Sequence, residues 1–168
     1  ACACAGIIIG SVFVSGLGLK FTQSVIDLSG GVLFILLCLT AISAIILGMG
    51  MTTTAVYITV AALIVPSLIE SGILPIAAHM FAFYFGVVST ITPPVALASF
   101  AGAAIAKSPP MSTAVESSKV GIAKYIVPFA FVYNPSLLME GPIIWSIYSL
   151  ISVLLAYWCM TLGLEGWF

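Results

Sequence analysis

Three long stretches of this chain carry no formal charge: Leu28 to Ile69, Ser71 to Ala106 and Gly141 to Leu164. Each exceeds the roughly 20 apolar residues that cross a bilayer core, so each has room for at least one span. Lipid offers a backbone no hydrogen-bond partners, and the runs show no alternation of period two. The spans are therefore expected to be helices, which makes the chain an all-α polytopic membrane protein. Composition agrees: 5% of the 168 residues are charged and 62% are hydrophobic, whereas soluble domains carry about 25% charged residues to cover a wetted surface.

The balance of charge excludes other classes. Net charge is −1 and all four basic residues are lysines, Lys20, Lys107, Lys119 and Lys124, so there is no basic footprint for nucleic acid. The start, Ala1-Cys2-Ala3-Cys4, lacks a charged n-region and reads as a cut through a longer chain rather than a signal peptide. Cys2, Cys4, Cys38 and Cys159 stand in apolar segments without His or acidic neighbours at ligand spacing, and read as small packing residues. Catalysis has little foothold: a single His, no paired carboxylates, no Ser-His-acid order and no phosphate-cradling Gly loop.

Along the chain, residues 1–31 read as a transmembrane helix ending near Ser15 at Gly16-Leu17-Gly18, followed by a polar connection of loop or interfacial backbone from Lys20 to Gly31. Residues 32–69 form two arms, Val32 to Leu47 and Thr52 to Ile69, joined by Gly48-Met49-Gly50-Met51. At 1.5 Å per residue each arm is about 24 to 27 Å long, borderline for a core of about 30 Å. Two ordinary spans and a re-entrant hairpin with its tip at mid-membrane both fit that length.

Residues 75–107 start at Pro75, a favourable first-turn residue, and meet Ser89-Thr90-Ile91-Thr92-Pro93-Pro94. Two prolines remove two backbone donors and push Thr92 out of the α region, yet Val95 to Ala106 is apolar again. One crossing made of two half-helices is the simplest solution. Residues 108–168 hold an amphipathic interfacial helix over Met111 to Lys124, a short segment from Tyr125 to Leu138 broken at Pro128 and Pro135, and a plain span over Pro142 to Leu162. The lysines place the 107–124 connection in the cytoplasm, and Trp145, Trp158 and Trp167 suit interfacial belts.

Irregular backbone at membrane depth is tolerated where it is buried in protein or lines a polar cavity. The Gly48 to Thr54 joint and the Ser89 to Pro94 break are two such places. Transporters build mid-membrane sites from discontinuous helices, with carbonyl-rich ends holding a cation and half-helix N-termini facing an anion. Here the carbonyl-rich ends fall near Gly48 and Ser89-Thr90, and the helix starts near Thr53 and Val95. Thr52, Thr53, Thr54, Thr90 and Thr92 add neutral hydroxyl oxygens. With no carboxylate in either segment, a monovalent ion such as Na⁺ is favoured over Ca²⁺. A proline kink and a glycine turn that merely shape packing is the alternative reading of either motif alone. Proton coupling would need a titratable group in the membrane. Only His79 and Glu70 approach that role, His79 reading first as a packing or hydrogen-bonding residue and Glu70 as a solvated loop residue. A channel or proton-coupled carrier, and a non-transporting structural membrane subunit, are the competing functions.

The run Ile46-Leu47-Gly48-Met49-Gly50-Met51-Thr52-Thr53-Thr54-Ala55, then Pro66, Ala77 to Gly86, Thr92-Pro93-Pro94-Val95-Ala96 and Tyr133-Asn134-Pro135, resembles the large membrane subunit of tripartite ATP-independent periplasmic (TRAP) transporters. More narrowly, it is similar to fused permeases that work with a TAXI-type periplasmic binding protein. The resemblance implies an elevator-type transport domain of two inverted repeats, each with a re-entrant hairpin and a broken helix, this chain holding the second. By that likeness Gly48 to Thr54 is the hairpin tip and Ser89 to Pro94 the helix break. Gly48, Gly50, Ser89, Thr90 and Thr92 would serve Na⁺, and Thr52, Thr53, Thr54, Thr92, Pro93, Pro94 and Val95 would form half of the substrate site. The resemblance further implies Na⁺-driven uptake of small organic anions, often carboxylates, with no cofactor beyond the coupling ion. The expected partners are the binding protein, the lipid bilayer, the rest of the permease and a small membrane subunit or fused domain, in a bacterial or archaeal inner membrane. Related subunits carry Gly where this chain has Ala96.

Overall fold

The computed structural model describes residues 14–165 together with Ile7, Gly10 and Ser11, and every regular element among them is helical. Helix α1 spans Leu17–Ser29, α2 Leu33–Gly48, α3 Thr53–Leu63, α4 Val65–Glu70 and α5 Pro75–Val88. Helix α6 spans Leu97–Ala106, α7 Pro110–Val120 and α8 Ala123–Tyr133. A 3₁₀ turn at Pro135–Leu138 then leads to α9, Ile143–Glu165. Part of the helix expected up to Ser15, and all of Cys2, Cys4 and Trp167, lie outside the described residues.

Helix α5 is the hub, packed against α2, α3, α4 and α8. Its buried residues, Ala77, Ala78, Phe81, Ala82, Phe85, Gly86 and Val88, recur at helical spacing and form a stripe wide enough to meet several neighbours. The small residues let backbones approach, and the aromatic ones lock the approach. Phe129 of α8 lies edge-on to Phe81 and Phe85, with ring centroids 5.4 and 5.9 Å away, and its centroid is 6.0 Å from Phe34 of α2. One aromatic cluster thus ties three helices together.

The outer faces stay apolar: Phe34, Ile35, Ile42 and Ile46 on α2 and Ile143, Ile144, Ile147, Leu150, Ile151 and Leu154 on α9 are all exposed. Helices apolar on both the packed and the open side belong in a hydrocarbon surrounding. Among the described residues α9 alone is long and apolar enough to cross a membrane by itself, through its stretch Ile143–Gly163. Asn134 Nδ2 donates to Ser149 Oγ at 2.8 Å and anchors α9 to the end of α8.

Four expectations need correction. The polar stretch Lys20 to Gly31, expected as loop or interfacial backbone, is mostly helix, because Thr22, Val25 and Ser29 recur on one buried face while Lys20, Gln23, Ser24 and Asp27 point outward. The second arm is divided at Ile64, since Pro66 has no N–H to continue the ladder of α3; the Ser67 hydroxyl donates to the Ile64 carbonyl at 2.6 Å across the division. Conversely, α8 runs straight through Pro128, whose ring is buried, and stops only at Tyr133 before Pro135. The amphipathic segment ends at Val120, and Lys124 already belongs to α8.

Candidate functional site

The two interrupted segments meet. Helix α2 ends at Gly48, and the chain turns through Met49 to Thr52 before α3 begins, with the Met51 amide donating to the Gly48 carbonyl at 3.4 Å. Gly48 is buried, and its missing side chain explains how closely the turn sits. A Cβ there would lie 2.8 Å from Ser89 Cβ and 3.0 Å from Val56 Cγ1, inside the distance that side chains keep. Gly50 has φ of 78°, which a side chain would strain, and a Cβ on it would stand 3.9 Å from Val95 Cγ1. Glycines at 48 and 50 therefore let the turn rest on both ends of the Ser89 to Val95 segment.

The break itself is built by short hydroxyl side chains. Ser89 Oγ donates to the Gly86 carbonyl at 2.6 Å, Thr90 Oγ1 to Val87 at 2.7 Å and Thr92 Oγ1 to Val88 at 2.7 Å. The Ser89 hydroxyl caps the Gly86 carbonyl, while the Thr90 and Thr92 hydroxyls add to carbonyls that also take backbone amides, Val87 from Thr90 at 3.1 Å and Val88 from Ile91 and Thr92 at 3.0 and 3.1 Å. Each hydroxyl proton is spent backwards into the helix, so the lone pairs are what the three oxygens present to anything bound at the break. The Thr90 carbonyl accepts from the Ala98 amide at 3.0 Å, closing the first turn of α6 across the interruption.

The other expected residues divide. Thr52, Thr53 and Thr54 are exposed at the start of α3, which has no side-chain cap, so its first amides are open to an anionic group. Pro94 is exposed, Thr92, Pro93 and Val95 are half-buried, and Ser89 is fully buried. Ala96 is fully buried with φ of −70°, so a methyl group is accommodated there without backbone strain.

Residues that no local pattern marks complete the site. Tyr125 Oη of α8 lies 2.7 Å from Thr92 Oγ1. Ser118 Oγ lies 3.0 Å and Ser117 Oγ 3.4 Å from the Ile91 carbonyl, and Ser117 also bonds Ser99 of α6. Helix α7 is thus docked on the break and on the half-helix after it. The adjacent Ser117-Ser118 pair was the only available sequence signal, and it needs the fold to acquire meaning.

His79 sits one turn into α5, half-buried, with Nδ1 hydrogen-bonded to Tyr57 Oη at 3.0 Å. Phe83 lies edge-on to Tyr57 at 5.7 Å. The pair ties α3 to α5, a packing and hydrogen-bonding position. Cys38 is half-buried and Cys159 exposed, and no cluster of three or more His, Cys, Asp or Glu occurs among the described residues.

An all-helical body with apolar outer faces, in which a glycine turn sits on a hydroxyl-rich helix break, defines an all-α membrane protein. The family comparison names it more closely: residues 1–145 match the family described as tripartite ATP-independent periplasmic transporter, DctM component. The chain belongs to that family of TRAP transporter large components, a transporter family and not an enzyme family. Neither the curated proteins nor the solved structures yield a match.

Proposed function

We propose that this chain forms part of a Na⁺-coupled importer of small organic anions, carboxylates foremost, received from a periplasmic binding protein of the TAXI type. It works within a multi-pass permease of the inner membrane, alongside the rest of that permease and a small membrane subunit or fused domain. In this reading α2 and α3 are the arms of a re-entrant hairpin whose tip is the Gly48 to Thr54 turn, and α5 and α6 are the halves of one crossing. Na⁺ is held at Gly48, Gly50, Ser89, Thr90 and Thr92, and the anion faces Thr52 to Thr54 and Thr92 to Val95.

The observation that carries the reading is the seating of Gly48 on Ser89. It puts two stretches of irregular backbone and a set of uncharged oxygens in one place, which suits a hard monovalent ion. Uptake by proteoliposomes holding the intact transporter and its binding protein is the test. Replacing external Na⁺ by choline should abolish uptake, and Thr92→Ala should raise the Na⁺ concentration for half-maximal uptake about tenfold or more, the scale of one lost ligand. An unchanged Na⁺ dependence in Thr92→Ala removes that side chain from the site.

Proton coupling makes the opposite prediction at His79. With Nδ1 engaged by Tyr57, His79→Ala should lower uptake by no more than about fivefold through lost packing and one lost hydrogen bond. Uptake that ignores Na⁺ and vanishes in His79→Ala would establish the proton-coupled carrier instead.

A further inference from the structure

Proton counting at Thr92 identifies a residue that neither interrupted segment contains. Thr92 Oγ1 lies 2.7 Å from the Val88 carbonyl oxygen and 2.7 Å from Tyr125 Oη. The Val88 carbonyl also accepts the Ile91 and Thr92 amides at 3.0 and 3.1 Å, but two oxygens 2.7 Å apart with no proton between them would repel, so the single hydroxyl proton of Thr92 lies toward Val88. Thr92 must then accept the Tyr125 proton. The bonds run one way, from Tyr125 through Thr92 to the end of α5, and they leave Thr92 Oγ1 with one uncommitted lone pair whose direction is set by the other two bonds.

We propose that Tyr125 is a positioning residue of the cation site, donating its phenolic proton to Thr92 and so aiming the remaining Thr92 lone pair at the ion. This rests on the reading of Thr92 as a Na⁺ ligand.

The segment around Tyr125 is built to hold that geometry. Ser118 Oγ lies 3.0 Å from the Ile91 carbonyl one residue before Thr92, sharing its one proton with the Ala114 carbonyl at 3.0 Å, and Ser117 Oγ lies 3.4 Å from the same Ile91 carbonyl. The Ile91 side chain is seated against Gly121, where a Cβ would come within 2.6 Å of Ile91 Cδ1. The α7–α8 turn therefore touches the break through a side chain, a carbonyl and a hydroxyl on successive residues, and Tyr125 cannot drift relative to Thr92 without breaking the neighbouring contacts. The hairpin tip grips the same break through Ser89, three residues earlier. A neutral hydrogen bond has a modest net strength, so its loss should weaken the ion without abolishing binding.

The test uses the intact purified transporter in detergent, with its thermal unfolding followed while NaCl replaces choline chloride. Stabilisation by an ion that binds only the folded state reports its apparent affinity without requiring transport. Tyr125→Phe keeps the ring and removes the donor. It should lower the apparent Na⁺ affinity about three- to tenfold, leave the midpoint in Na⁺-free buffer nearly unchanged, and keep the maximal uptake rate at saturating Na⁺ within about twofold. The effect should persist beside Thr92→Ser, which retains the acceptor oxygen, and disappear beside Thr92→Val, which lacks it.

Unchanged affinity in Tyr125→Phe, with affinity lost in Thr92→Val, overturns the positioning role and leaves the ion reading standing. Unchanged affinity in Thr92→Val overturns both. A Tyr125→Phe effect of equal size beside Thr92→Val, or one confined to the Na⁺-free midpoint, assigns Tyr125 to the fold alone and equally overturns the proposal.

Discussion

Gly48→Val should cost the transporter at least about fivefold in uptake, and Gly48→Ala most of that. The first added carbon already meets Ser89 Cβ at 2.8 Å and Val56 Cγ1 at 3.0 Å. Ser89 cannot swing aside freely: it is fully buried, and its hydroxyl is committed to the Gly86 carbonyl. The turn must therefore lift away from the break, separating the two halves of the proposed site. Overpacking of this kind costs about 1–3 kcal/mol, which as a shift between seated and lifted turns covers about five- to 150-fold. Removing the obstructing side chain tests the cause. Ser89→Gly in the Gly48→Ala background should recover part of the unfolding midpoint in Na⁺-free buffer, a readout that does not depend on Ser89 as a proposed ion ligand, since the two nearest obstructing atoms belong to Ser89. No recovery, in a double variant that still unfolds cooperatively, would mean that Gly48 matters for some other reason.

How much of this was readable beforehand follows from how local each cause is. The break after Val88 and the turn after Gly48 are written in neighbouring residues, two prolines in one case and two glycines in the other, and both interruptions lie within two residues of where the pattern puts them. Helix α1 is hidden from composition, because Lys20, Gln23, Ser24 and Asp27 make the stretch polar while the period of Thr22, Val25 and Ser29 carries the information. Pro128 reads locally as a helix breaker. In α8 packing outweighs the one lost ladder bond, with Pro128 buried and the neighbouring Phe129 wedged against Phe81 and Phe85. Tyr125, Ser117 and Ser118 were not legible at all. Their partners lie 33, 26 and 27 residues away, and a hydroxyl acquires a role from such a distance only through the tertiary fold. The turn after Gly48 and the interruption after Val88 could be named in isolation, but what joins them to α7 and α8 could not.

Phe81→Ala should be the most destabilising single substitution in the body of the protein, and it separates the seating of the turn from the chemistry of the break. Phe81 heads the largest fully buried side chains, its ring tilted against Phe85 at a centroid distance of 4.8 Å and edge-on to Phe129 at 5.4 Å. Truncating a buried Phe costs about 3–5 kcal/mol in water-soluble cores. In a bilayer the transfer part shrinks, because lipid tails are as apolar as the interior, and the packing part remains. A loss of about 2–4 kcal/mol is expected on that ground, read as a lower unfolding midpoint of the purified transporter without Na⁺. No atom of Phe81 is among the hydroxyls that bond around the break. If the proposed Na⁺ site is correct, protein that survives at low temperature should retain Na⁺ specificity while apparent Na⁺ affinity falls, because Phe129 also meets Phe34 of α2, and loosening that cluster frees the turn after Gly48 to lift from Ser89. Phe81→Leu, which refills most of the volume, should restore the larger part of both the midpoint and the affinity. If instead Phe81→Ala lowered the midpoint and left Na⁺ affinity intact, the turn would be held on the break by its own contacts alone, and the aromatic cluster would serve stability without serving the site.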